Sequence, residues 1–179
     1  MLKSSKLKLS IFQLSIFFSR VNVFFSNFQT FSTFFQVSGT TPIPAICGTN
    51  SGQHMYIDMD LHSENPVTLK VATNGASFKR TFSIKIFQIE CDSLSKAGDG
   101  CLQYFTGIEG SMSSFNYNGA SGLMISNTDY TMCVRTERNF CGIQYNACTD
   151  VLNAFSMSFS ISGITNSGRF RIWSLYVKY

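Results

Sequence analysis

A chain of 179 residues with 44% apolar and 13% charged side chains has the material for one ordinary core or two small ones, at about half the usual charge. Its net charge of +4 comes from one end: residues 1–36 carry Lys3, Lys6, Lys8 and Arg20 and no acid, and from residue 37 on ten basic side chains balance ten acidic ones. That balance excludes a nucleic-acid partner, which needs a clustered basic stripe against phosphate, and the abundance of Ser, Thr, Asn and Gly fits an extracellular β-protein.

Residues 1–36 hold nine of the eighteen Phe residues and no Gly, Pro, Cys or Asp, a break in composition that marks a boundary. Three readings of this non-domain segment stay open. Basic "MLKSSKLKLS" before apolar "IFQLSIFF" has the order of a secretory signal, although the apolar run is short, carries Gln13 and Ser15, and leads to no small-residue cleavage site. Residues 11–35 have the length of a membrane anchor but are interrupted by Ser, Asn, Gln and Arg20. "FFSNFQTFSTFFQ" is also what translating a polypyrimidine tract and a terminal CAG gives, so the segment reads as intron carried into the coding sequence.

From Val37 the pattern turns to short predicted strands separated by turn residues. "HMYIDMDL" alternates, with Met55, Ile57, Met59 and Leu61 on one face. "VTLKVAT" does the same with Val67, Leu69 and Val71, and "FSIKIFQIEC" sets Phe82, Ile84, Ile86 and Gln88 on one face against Phe87 and Ile89 on the other. "HSENP" and "TNGAS" between them are turns, the second with an Asn-Gly suited to a tight hairpin. Polar "DSLSKAGDG", residues 92–100, reads as a linker. Beyond it "CLQYFTG", "GSMSSFNY", "GLMIS", "DYTMCVRT", "CGIQY" and "NAFSMSFSIS" continue as strands, and "RFRIWSLYVKY" has the form of a final one. No helix is predicted over residues 37–163, and strands spaced this way indicate a β-sandwich or barrel.

Six cysteines stand at 47, 91, 101, 133, 141 and 148; six pair in fifteen ways, so the count fixes no connectivity. A structural zinc site is disfavoured, since no two cysteines are spaced as a knuckle requires and His54 and His62 are distant in sequence. A nucleophilic thiol needs a partner base, and no spacing here matches one. His54 reads as a strand side chain, His62 as a turn residue, and Asp58 with Asp60 as a solvent-facing edge. The glycine motifs are turns that lead into no helix, so none cradles phosphate, and no Asn-x-Ser/Thr acceptor for glycosylation is present. Disulfides fit best: Cys141 and Cys148 are expected to bridge across a turn within "CGIQYNAC", which points to an oxidising compartment.

Taken in order, "PAICGTNSGQHMYID", "NPVTLKVATNGASFKRTFSIKIFQIEC", "GCLQYFTGIEGSMSSFNY", "SNTDYTMCVRTERNFCGIQYNACTD" and "AFSMSF" resemble the arthropod proteins that carry CUB-like domains, over about residues 36–159. The resemblance implies an all-β fold, a disulfide-stapled antiparallel sandwich of the extracellular space. "ICG" at Cys47 looks like the Cys-Gly late in such a domain, so residues 37–91 resemble a C-terminal half. "GCLQYFTG" onward resembles an N-terminal half over residues 101–163, whose opening cysteine pairs about thirty residues on; this implies a bridge from Cys101 to Cys133. Both halves are then incomplete. Cys47 loses its family partner and is left either free or paired with Cys91 by default, and residues 164–179 fall outside the expected strands. Together the halves carry the strand content of one circularly permuted domain, so a single hybrid sandwich is expected if they share a core.

What the resemblance implies for function is a secreted or cell-surface interaction module without catalysis of its own or a required cofactor, presenting loops and a sheet face to a protein or glycan. Candidate contact residues are Tyr104, Tyr117, Arg135, Glu137 and Arg138. Asp150 is a weak calcium candidate: it sits one residue closer to Cys148 than in calcium-binding members, and the companion glutamate position falls on Gly142. The alternatives are an accessory region of an extracellular serine protease, or a surface protein in which residues 11–35 act as membrane anchor.

Overall fold

The computed structural model describes residues 18–38, 43–58, 67–73, 81–117, 125, 128–147, 156–162 and 168–174. These form eleven strands: β1 (Phe18–Ser38), β2 (Ile46–Thr49), β3 (His54–Asp58), β4 (Thr68–Thr73), β5 (Thr81–Glu90), β6 (Cys101–Phe105), β7 (Glu109–Ser113), β8 (Thr128–Val134), β9 (Gly142–Ala147), β10 (Ser156–Ser162) and β11 (Gly168–Ser174). Among the described residues there is no helix, and so none long and apolar enough to cross a membrane.

The strands make three sheets. In the first, β1 is central and every neighbour is antiparallel to it: β5 and then β4 run along one edge, β3 and then β2 along the other. The second has the order β7-β10-β9, antiparallel throughout. In the third, β11-β8-β6, the pairing of β11 with β8 is antiparallel and that of β6 with β8 parallel.

The boundary expected at residue 36 therefore falls inside a strand. Residues 18–38 stand at the middle of the first sheet, pairing Arg20 with Asp58 and Ile89, and Phe35 with Ile46 and Val71. The reason is chemical: a Phe-rich run without Gly or Pro carries strong strand propensity, whatever its codons look like. The tail is corrected likewise, since Gly168–Ser174 extends the third sheet through seven pairs with β8.

Both halves of the chain bury their apolar faces in one core. Ile46, Met55, Ile57, Val67, Leu69 and Val71 come from β2 to β4, and Leu102, Met112, Phe115, Tyr130, Met132, Val134 and Phe159 come from β6 onward. The alternation read from "HMYID" holds, with Met55 and Ile57 fully buried; Met59 and Leu61 lie outside the described residues. On β5 the expected face holds for Ile84 and Ile86, which pack on the core. At its end the ladder with β1 shifts register between Phe18 and Arg20, and Ile89 rather than Gln88 is buried.

A buried polar clasp joins the halves at the β2–β3 turn. Asn50, 1% exposed, accepts from the Asn116 N–H at 2.8 Å, and the Thr49 N–H donates to Asn116 Oδ1 at 2.9 Å. Gln53 Nε2 donates to Ser113 Oγ at 2.7 Å and reaches the Ser113 and Ser114 carbonyls. These acceptors orient the Gln53 amide, so its Oε1 takes the Gln103 Nε2 donor at 2.7 Å. Gln103 is in turn fixed in orientation, and its own buried Oε1 has no hydrogen-bond partner among the described residues.

Candidate interaction face around Tyr104

The sequence "CLQYF" forms β6 with Cys101, Leu102 and Gln103 buried and Tyr104 and Phe105 half-buried. Its opening cysteine is bonded to Cys133 on β8, with Cα atoms 5.7 Å apart, as the resemblance implied. Ala97 packs on this bridge, and Tyr56 and Tyr104 lean against it from the partly exposed side. The staple and the parallel ladder together hold β6 to β8.

On its other side β6 meets β3 through one imidazole. His54 Nε2 lies 3.0 Å from the Tyr104 carbonyl oxygen and 3.1 Å from the Tyr104 amide nitrogen. Its ring stands edge-on to Phe105 at 5.0 Å and to Tyr56 at 5.8 Å. Tyr56 meets Tyr104 edge-on at 5.9 Å, and Phe105 meets Phe159 of β10 at 6.1 Å. Such edge-to-face pairs add to simple burial and fix ring orientation. Burial pushes the His54 pKa below its ordinary value, against the smaller upward pull of the Tyr104 backbone contact. Burial also raises the Tyr104 phenol, with Arg135 lowering it and Glu137 raising it.

Beside Tyr104 the loops after β6 and β8 are tied by one carboxylate oxygen. Glu137 Oε1 accepts from the Gly107 N–H at 2.9 Å, from Arg135 Nε at 2.8 Å and from Arg135 Nη2 at 2.7 Å. Gly107 is at φ +103°, a conformation that suits glycine and aims its N–H at the carboxylate. The Arg135 N–H donates to the Phe105 carbonyl at 2.8 Å, carrying the pairing of β6 and β8 one residue further. The Gly107 N–H, and after it Arg135, hold the Glu137 carboxyl below the usual carboxylate range; the same hydrogen bond raises Arg135. Arg138 and Ile108 are exposed at this end.

The structure thus brings Tyr104, Arg135 and Glu137 together, with Arg138 on the adjoining turn. Tyr117 stands apart from them: it follows Asn116 in the polar clasp, its N–H donating to the Ser114 carbonyl. Asp150 and His62 lie outside the described residues. Among those residues no three His, Cys, Asp or Glu side chains converge as a metal site. The sequence reading takes His54 as a strand side chain and passes over Tyr56; the signal was the second face of "HMYID", where positions 54, 56 and 58 alternate with the buried ones.

Of the two alternatives left open for Cys47 the free thiol holds, and the bridge expected at Cys141 is corrected. Cys47, Cys91 and Cys141 are free. The bridge expected from Cys141 to Cys148 does not hold, since Cys141 is free and leads into residues 142–147, one strand paired along its length with β10; Cys148 lies outside the described residues. The ends of that strand lie about 17 Å apart at 3.3–3.4 Å per residue. Cys47 and Cys91 are separated the same way: β2 pairs with β1 no closer to its start than Gln29, whereas β5 ends opposite Phe18. About eleven strand residues, some 35 Å, lie between those points.

Residues 98–174 match the family model for the animal CUB domain. The match opens just before Cys101, contains the disulfide, β6 to β11 and both loops of the Tyr104 face, and closes on the last residue of β11. This segment is similar to a CUB domain, and the fold of the chain is an all-β sandwich. No curated protein matches the chain.

Proposed function

We propose that the chain is a non-catalytic extracellular module that binds a protein or glycan partner through the face formed by Tyr56, Tyr104, Arg135 and Arg138. The observation that carries this reading is the convergence of Tyr104 with the Arg135–Glu137 pair on a strand stapled by Cys101–Cys133. Tyrosine and arginine are the side chains most often found as binding anchors, because each buries a large area while losing little conformational freedom when already held. Here the rings are held by edge-to-face contacts and the guanidinium by Glu137, so the ordering cost of binding is met in advance. A persistent disulfide within a CUB-like segment supports an oxidising, extracellular setting.

The test is binding of the oxidised chain to a panel of immobilised glycans and purified extracellular proteins. Whatever the wild type captures, Tyr104→Ala is expected to lose at least about tenfold in affinity, the scale of a 1.4 kcal/mol anchor. Leu94→Ala, at a side chain 91% exposed outside this face, is expected to bind as the wild type does. Capture that survives Tyr104→Ala unchanged would overturn the reading.

A further inference from the structure

In the sheet order β11-β8-β6, strand β6 has β8 on one edge and, among the described residues, no strand of its own sheet on the other. Peptide groups on such an edge need partners or become sites for another strand. At Tyr104 that need is met by a side chain: one ring nitrogen of His54 faces both the N–H and the C=O of the residue.

We propose that the β3–β6 joint is a proton-operated latch, in which protonation of His54 releases the edge of β6 at Tyr104 while β6 stays fastened to β8. The neutral ring serves either group, its unprotonated Nε2 accepting from the N–H or its protonated Nε2 donating to the C=O. A doubly protonated ring has only donors. The Tyr104 N–H then loses its acceptor, and a cation must be held among the rings of Tyr56 and Phe105 with the Tyr104 carbonyl as its hydrogen-bond partner. Groups that bear charge stand further off. Asp58 is four residues along β3, and Arg135 and Glu137 lie beyond Tyr104 and are paired with each other. The rings beside the imidazole are those of Tyr56 and Phe105, with Tyr104 behind Tyr56 and Phe159 of β10 behind Phe105.

The direction follows from linkage. Burial lowers the pKa of His54 in the closed joint, while the opened ring titrates near the ordinary 6.5. The stabilisation of the closed joint is therefore complete above about pH 6.5 and is lost as pH falls from there through the lowered value. The disulfide and the parallel ladder hold β6 against β8 throughout. What opens is the contact with β3, and with it the meeting of Tyr56 and Tyr104.

Amide hydrogen exchange on the full oxidised chain tests this. Corrected for intrinsic exchange, protection of the Tyr104 amide is expected to fall by about tenfold between pH 7.5 and 5.0, within the limit of tenfold per pH unit for one proton. Protection of Met132 on β8 is expected to stay level. His54→Gln, which keeps a donor and an acceptor but does not titrate, is expected to abolish the fall. A Tyr104 amide that stays protected at pH 5.0, or that falls equally in His54→Gln, would overturn the latch. Should that variant not fold, the His54 ring-proton titration of the wild type decides: a midpoint at or above 6.5 contradicts the proposal.

Discussion

Asn50 and Asn116 are 66 residues apart in sequence, yet Asn50 Oδ1 accepts the Asn116 N–H at 2.8 Å in a site where Asn50 is almost wholly buried. The side chain of Asn116 returns the contact by accepting from Thr49, and Asn116 itself is at φ +63°. This clasp is where the two halves of the chain become one object, and it gives Gly48 a defined role. A Cβ on Gly48 would fall onto the Asn116 carboxamide, and its backbone is at φ +80°.

Gly48→Ala is therefore expected to cost more than backbone strain. Gly100 is the control, because it is at φ +77° with open space around it. Gly100→Ala should lose about 1–2 kcal/mol for the left-handed conformation, and Gly48→Ala clearly more, since the Asn116 contacts must also break. Urea midpoints measured side by side check this; equal losses would mean that the clasp yields without cost.

Tyr130 carries a second buried link. Its hydroxyl accepts the Phe115 N–H at 3.1 Å inside the core, and the two rings pack 5.1 Å apart. Tyr130→Phe keeps the ring and removes the acceptor, leaving a buried N–H unpaired at a cost of about 1–3 kcal/mol. The expected result is a lower urea midpoint at an unchanged slope.

The cysteine chemistry separates cleanly by accessibility. Exposed Cys141 is expected to react with an alkylating reagent on the native protein, the half-buried Cys47 and Cys91 more slowly, and Cys101 and Cys133 only after reduction. The bridge closes a separation of 32 residues, for which the chain-entropy relation gives about 4 kcal/mol. Replacing both partners by serine should lower stability on that scale. Peptide mapping that found Cys141 bonded would contradict the straight β9.

Much of this arrangement was legible in the residues, and the parts that were not have physical reasons. The alternation in "HMYID" and "VTLKV" announced strands and their buried faces, because a strand's period of two is local. The bridge from Cys101 to Cys133 came from resemblance, since spacing alone leaves fifteen pairings. The role of residues 18–38 was illegible: their composition, read by itself, gives no sign of partners that lie from about 11 to about 72 residues further on. The Cys141–Cys148 hairpin failed because a seven-residue spacing suits a tight loop and an extended strand equally, and the pairing with residues 157–162 decides between them. His54 was read as an ordinary strand residue because nothing near it in sequence shows that it faces the Tyr104 backbone.

Glu137 links stability to acid. Its carboxyl is held below the ordinary range by the Gly107 N–H first and Arg135 second. A lowered carboxylate contributes stability that is present above its unfolded pKa of about 4.3 and is lost as pH falls through the lowered value. Glu137→Gln is expected to flatten the stability profile below about pH 4.3 while leaving the step that starts near 6.5 in place. An unchanged acid limb would show that the pair is too well solvated to matter.

Residues before Cys91 and after Cys101 fold as one sandwich around one core. Native-state hydrogen exchange in rising urea tests it most directly, following the amides of Met55 and Ile57 on β3 and of Met132 on β8, all fully buried at their side chains. One core predicts that these amides converge on a single opening free energy with a single urea dependence. Two separate opening reactions, with β3 exchanging at a urea concentration where β8 remains protected, would contradict it.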